Sequence, residues 1–188
     1  MRRQKKQKKS KLFLPFFIIS ILVLSVFGVM IGGLTQEEDA VKYNDIYFRA
    51  NEGSYLFEID NVQYGTLNGP LDVEGFYDDL PPEFLVDLKG SEKLYFDVSD
   101  SSAAYMNNLY SNLVRLRPIS LACSEEYKDE EQCLDKPIKS CDDFFVKFEV
   151  SDEKEISYDG CFIVKGSAGY LNGVSDVIIM AYAGVFDE

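Results

Sequence analysis

Between Leu12 and Leu34 the chain has no Asp, Glu, Lys or Arg, and Ser20 and Ser25 are its only hydroxyls. A soluble core helix would show a polar face, and this run of 23 residues has none. As a helix it would extend roughly 35 Å, enough to cross a ~30 Å hydrocarbon core. The pattern predicts a transmembrane helix over 12–34, with Pro15 in the first turn, where a missing N–H costs little. The run is too long for the apolar region of a cleaved signal and lacks a small-x-small pair at its end, so it is expected to remain as an anchor.

Beyond the run, apolar positions come in short groups. Residues 35–42 read as a short acidic stalk. Ile46–Ala50, Tyr55–Ile59 and Val62–Leu67, separated by Asn51-Glu52-Gly53 and Asp60-Asn61, read as a three-strand meander. Residues 71–90, with Pro81-Pro82, read as a connection with room for one helical turn. Lys93–Val98 has strand character, and Asp100, Ser101 or Ser102 can cap a helix directly after it. Ala103, Met106, Leu109, Tyr110, Leu113 and Leu116 then fall at helical spacing until Pro118. Ile119–Cys123 completes a β-α-β unit.

An acidic loop over 124–143 leads to a strand at Phe144–Val150. A hairpin around Asp152 leads to Glu155–Tyr158, and Asp159-Gly160 turns into Cys161–Lys165. In the last helix, Ala168–Ala183, residues Leu171, Val174, Val177, Ile178, Ala181 and Tyr182 form one stripe. Ser167 suits its cap, Gly184 its end, and Val185 and Phe186 the apolar contact of a Schellman stop. The expected fold class is α+β: one outer domain over 43–188, with a mixed β-sheet packed by two main helices.

Charge adds orientation. Residues 1–11 carry seven Lys and Arg and no acid, whereas all 32 acidic residues come after the apolar run. Cationic flanks stay in the cytoplasm, so the basic tail is expected inside and the domain outside, in a single-pass cell-membrane protein. The tail also suits anionic headgroups. Past residue 34 there are 12 cations against 32 anions, a formal charge of −20. Such a field repels nucleic acid and favours cations and basic partners.

Cys123, Cys133, Cys141 and Cys161 all lie in the outer part. With no histidine in the chain and spacings that match no zinc pattern, two disulfides are expected. Three pairings are open. Nesting Cys133–Cys141 inside Cys123–Cys161 is the preferred one, because it would shut the acidic loop and staple two strands.

Asp97-Val98-Ser99-Asp100-Ser101 fits a DxSxS pattern at a strand exit before a helix. It resembles the metal-ion-dependent adhesion motif of von Willebrand factor A-type domains, where a carboxylate and two hydroxyls ligate Mg²⁺. That family also uses a downstream Thr, and no Thr occurs after Thr66 here. The alternative for Asp97, Ser99 and Ser101 is a polar strand exit that caps a helix. Gly166, Gly169 and Gly173 also stand between strand and helix, but their spacing fits no phosphate loop, and close packing of helix on sheet is the expected role. Asp78-Asp79, Asp142-Asp143 and the group Glu125, Glu126, Asp129, Glu130 and Glu131 read as solvated faces. Gly28 and Gly32 form a GxxxG pair within the apolar run, weighed between self-association of the membrane helix and a lone anchor. A His-based nucleophile is excluded by composition; no catalytic residue is nominated and no cofactor is expected.

Tyr43-Asn44-Asp45-Ile46, the strand–helix pair through Arg115, the set Cys123, Cys133, Cys141 and the segment Asp159–Gly166 together resemble uncharacterised single-pass archaeal surface proteins. The resemblance implies an anchored outer domain and supplies no site residues. The absence of any Asn-x-Ser/Thr sequon departs from a heavily glycosylated surface. The functional expectation is a non-enzymatic binding or envelope-organising domain, held to the bilayer through residues 12–34 and in contact with other envelope proteins. The alternative is a metal-dependent adhesion module or envelope enzyme using Asp97–Ser101.

Overall fold

A computed structural model describes Pro15, residues 17–22 and residues 40–187. Residues 17–22 of the apolar run are helical. The remainder of the expected span, including Gly28 and Gly32, lies outside the described residues, as do the basic tail and the stalk as far as residue 39. No helix among the described residues is long and apolar enough to cross a membrane. The chain divides near residue 40, and the larger unit is Val41–Glu188.

That unit is α+β. It opens with a four-strand antiparallel sheet in sequential order: β1 (Ala40–Tyr43), β2 (Ile46–Asn51), β3 (Ser54–Ile59) and β4 (Val62–Thr66). The stalk expected over 35–42 therefore gives up its end to a strand, and the meander has four strands rather than three. Each turn places two residues at positive φ: Asn44 and Asp45, Glu52 and Gly53, Asp60 and Asn61. Paired left-handed residues are what two-residue hairpins need to match strand twist, and Asn, Asp and Gly reach that region most cheaply.

The connection over 71–90 is also more ordered than its pattern suggests. It forms two helices, α1 (Pro70–Tyr77) and α2 (Pro82–Gly90), each with proline in the first position, where its fixed φ fits and its missing N–H is not needed. Asp72 accepts from the Gly69 amide at 3.1 Å and closes the first of them.

Next in the chain is a six-strand mixed sheet, built from β5 (Leu94–Asp97), β6 (Ile119–Ser124), β7 (Ile138–Lys139), β8 (Phe145–Val150), β9 (Glu155–Asp159) and β10 (Cys161–Gly166). Its order is β7-β6-β5-β8-β10-β9. All neighbouring pairs are parallel except β9–β10. Between β5 and β6 the chain makes a 3₁₀ helix, Ser101–Met106, and then α3 (Asn107–Leu113), so the β-α-β unit holds with a tighter first half. The hairpin expected around Asp152 does not form, because β10 lies between β8 and β9. The link steps across the end of β10, where the Ser151 amide donates to the Gly166 carbonyl at 2.9 Å.

The last helix, α4 (Ala168–Ala183), is buried continuously from Gly173 to Ala181. It touches α1, α2, α3, β4, β8 and β10, and so lies at the centre of the unit. Ser167 occupies its N-cap position without a side-chain bond, whereas Gly184 ends it at φ 86° and the Val185 amide reaches back to Met180 at 2.9 Å, the wide Schellman bond. Meander residues Phe48, Phe57 and Tyr64 join strand residues Phe96, Phe148 and Phe162 and buried side chains of all four helices in one core. The other side of the large sheet has only a small cluster, Ala122, Phe145 and Cys161, and no helix among the described residues contributes to it.

The disulfides are Cys123–Cys133 and Cys141–Cys161. This corrects the nested pairing: the first closes a local loop beside β6, and the second ties the run into β8 to the start of β10. Gly160 is required at the latter, since at φ +74° a Cβ there would meet the Cys141 carbonyl oxygen at 2.1 Å.

The glycines that read as helix-on-sheet packing have three different surroundings. A Cβ at Gly173 would meet the Phe76 ring of α1 at 2.4 Å, one at Gly166 would meet the Tyr170 ring at 2.3 Å, and one at Gly169 would meet nothing within 4 Å. Gly173→Ala should therefore lose about 1–3 kcal/mol in thermal or urea unfolding, through overpacking. Gly169→Ala should be neutral or gain up to about 1 kcal/mol, from helix propensity and a less free unfolded chain.

Candidate functional site

Two buried carboxylates stand out. The first is Asp176, fully buried halfway along α4 and the only charged residue of that helix. Its Oδ2 accepts from the Leu67 amide (3.0 Å), the Asn68 amide (2.8 Å) and Asn68 Nδ2 (2.7 Å), while Oδ1 accepts from Asn108 Nδ2 (2.8 Å). No ion pair reaches it among the described residues. The negative charge is answered by N–H dipoles alone, two of them consecutive backbone amides in the β4–α1 turn. Burial pushes its pKa above the ordinary carboxylate value, and the four donors pull the other way.

The network continues through Asn112, itself buried. Its Oδ1 accepts from the Gly65 amide at 2.9 Å and its Nδ2 donates to the Gly65 carbonyl at 2.9 Å and to the Asn108 carbonyl at 2.8 Å. Gly65 lies on β4, Asn108 and Asn112 on α3, Asp176 on α4. One polar chain thus joins the meander to the helices beneath it.

The second carboxylate is Asp97, at the end of β5 and 4 % exposed. Its Oδ1 accepts from the Ser99 amide at 2.9 Å and from the Ser99 hydroxyl. The Ser99 oxygen in turn accepts from the Ser124 amide at 3.0 Å, and Gln132 Nε2 donates to the Ser99 carbonyl at 2.6 Å. The strand exit is therefore tied to the end of β6 and to the disulfide-closed loop. Of the DxSxS set, Asp97 and Ser99 come together, while Ser101 is exposed at the start of the 3₁₀ helix. Capping falls to Asp100, whose Oδ1 accepts from the Ser102 amide at 2.6 Å. No group of three or more acidic or cysteine side chains among the described residues is arranged to hold a metal ion. Burial raises the Asp97 pKa, against the two Ser99 bonds and the positive charge of Lys147.

On the helix-free side of the sheet, Lys147 pairs with Glu126 at 2.7 Å and Glu149 at 2.9 Å, and Lys165 with Glu155 at 3.1 Å. Burial would lower the Lys147 pKa, but its two carboxylate partners outweigh that and hold it protonated. Tyr95 receives Lys93 at 5.0 Å and Lys139 at 4.3 Å from its ring centroid. The acidic segments that read as solvated faces are drawn partly into these pairs, through Glu126 with Lys147 and Asp143 with Lys139 (3.1 Å). Two shallow clefts mark the surface: one of about 310 Å³ lined by Phe76, Asp79, Lys154, Glu155, Ile156 and Tyr170, and one of about 260 Å³ on the meander, around Tyr47, Arg49, Leu56 and Glu58.

Sequence reasoning missed Asp176 and its asparagines. The available signal was a single charge in an otherwise uncharged 16-residue helix that is apolar almost all round. Compared with family models, curated proteins and solved structures, the chain matches none, so its chemistry rests on its own residues.

Replacing Asp176 with Leu takes the acceptor from four N–H groups, at about 1–3 kcal/mol for each left unpaired before relaxation, and should cost about 3 kcal/mol or more in urea unfolding. For Asp97 the linkage gives a pH signature. Its folded pKa is raised above 3.8, so in the window between 3.8 and the raised value the folded chain holds more protons than the unfolded one. Its contribution to stability therefore falls as pH rises through that window. Asp97→Asn keeps an acceptor for Ser99 and should flatten the fall, measured by urea midpoints at stepped pH.

Proposed function

We propose that this chain is a membrane-tethered, extracytoplasmic domain that binds or organises other envelope components. The observation that carries the reading is the pair of disulfides, which accounts for every cysteine. Bonds of this kind form and persist in oxidising compartments. They fasten the acidic loop beside the face of the large sheet to which no described helix contributes core residues, giving a held, charge-studded surface of the kind that recognises partners by electrostatic complementarity. The anchor and its orientation rest on the uncharged run over 12–34 behind seven cations.

The test is topological. Protease added to intact cells should digest a C-terminal epitope and spare an N-terminal one. A membrane-impermeant maleimide should label the cysteines only after reduction. A fully protected C-terminal epitope together with thiols that alkylate without reduction would overturn the placement. Short-range crosslinking on the same cells should return the chain joined to other envelope proteins, and recovery of the chain alone would sink the partner half.

A further inference from the structure

The cleft of about 310 Å³ has walls of a particular kind. Two of its walls are aromatic: Phe76 from α1 and Tyr170 from the first turn of α4 meet with ring centroids 5.4 Å apart and planes at 81°. Each ring is seated on a glycine. The Tyr170 ring occupies the space a Cβ at Gly166 would need, and the Phe76 ring the space of a Cβ at Gly173. Neither ring can settle where it is if its glycine carries a side chain, so the right-angled corner depends on glycine at both positions.

Its polar rim is Lys154, Glu155 and Asp79. Glu155 is engaged by Lys165 at 3.1 Å. Asp79 is exposed and has no ion-pair partner among the described residues, and its charge, after burial, raises the pKa of Tyr170. Lys154 places its ammonium 5.2 Å from the Tyr170 ring centroid. The corner thus already holds a cation of the right kind, from an exposed side chain on the link into β9.

We propose that this aromatic corner is a binding site for an organic ammonium group, with Lys154 as a resident occupant that the ligand displaces. Ring faces carry the negative lobe of the aromatic quadrupole and attract ammonium groups, and paired rings bind alkylated ones best. Asp79 adds a full negative charge, and the formal −20 beyond residue 34 raises the local concentration of cations. The choice of an organic cation comes from the walls: Phe76, Tyr170 and Ile156 offer apolar contact, whereas Mg²⁺ or Ca²⁺ would demand six or more oxygens. A cleft of about 310 Å³ takes a head group or one side chain rather than a larger ligand. The site goes beyond the envelope-binding reading and does not depend on where the domain resides.

The experiment uses the full chain in a maltoside detergent, which carries no ammonium, with ¹³C-labelled Tyr and Phe rings followed by NMR. Tetramethylammonium and n-butylammonium chloride are titrated against sodium chloride at matched ionic strength. The expected result is a saturable shift of the Tyr170 and Phe76 ring signals with an alkylammonium salt and not with sodium. Lys154→Ala vacates the ring and should tighten binding by about two- to fivefold, the worth of one exposed cation–π contact. Asp79→Asn should weaken it. Both replace exposed side chains, so neither puts folding at risk. A preference for butylammonium would assign the site to lysine-like or polyamine groups, and one for tetramethylammonium to quaternary head groups. Unsaturable shifts spread over many rings, or an affinity that Lys154→Ala leaves unchanged or weakens, would overturn the proposal.

Discussion

A carboxylate at the centre of the unit has no cation among the described residues to answer it. Asp176 is fully buried, and four N–H groups from the β4–α1 turn and from α3 supply the whole of its compensation. A buried charge is tolerable only when hydrogen bonds replace its lost hydration, so the turn, α3 and α4 must sit together. Thr66 holds the turn from the other side, its hydroxyl donating to the Asn68 carbonyl at 3.0 Å. The apolar core would let these elements slide, and the polar chain fixes their register. This is a specification role more than a stabilising one, because an apolar side chain of similar size with apolar neighbours would cost less to bury.

Around that point the unit is one-sided. The core gathers the meander, all four helices and one face of the large sheet, with α4 running through it. The other face, without that cover, is held by ion pairs across β8, β9 and β10 and by a loop that two disulfides pin. Exposed pairs contribute little each, yet together they occupy much of the positive charge of this face of a strongly acidic chain. Local neutrality of that kind lets strands carrying Lys147, Glu149 and Lys165 lie side by side.

Much of this was legible in the sequence, for identifiable reasons. The strands of the β-α-β unit, the hairpin turn at Asp159-Gly160 and all of α4 come from periodicity and turn chemistry, which are local. The helices over 70–90 escaped because each is under ten residues and only weakly two-sided, although a proline at each start was a usable sign. The sheet order and the disulfide pairing escaped for another reason. Both are decided by which strands become neighbours, and no local pattern says that β10 inserts between β8 and β9 or brings Cys161 beside Cys141. The strand-exit set was read as Asp97, Ser99 and Ser101 together, and the fold joins only the first two. Their dependence on Ser124 and Gln132 needed the fold.

Asn112 has an effect beyond the core. Its carboxamide faces the Gly65 peptide and exchanges both bonds with it, as a neighbouring strand would. That position on the rim of the meander is thereby already taken, so an incoming extended peptide cannot zip onto it without expelling the amide. An unguarded sheet rim is a template for edge-to-edge association between copies of a chain. A single asparagine, reaching up from α3, works as a stopper against it.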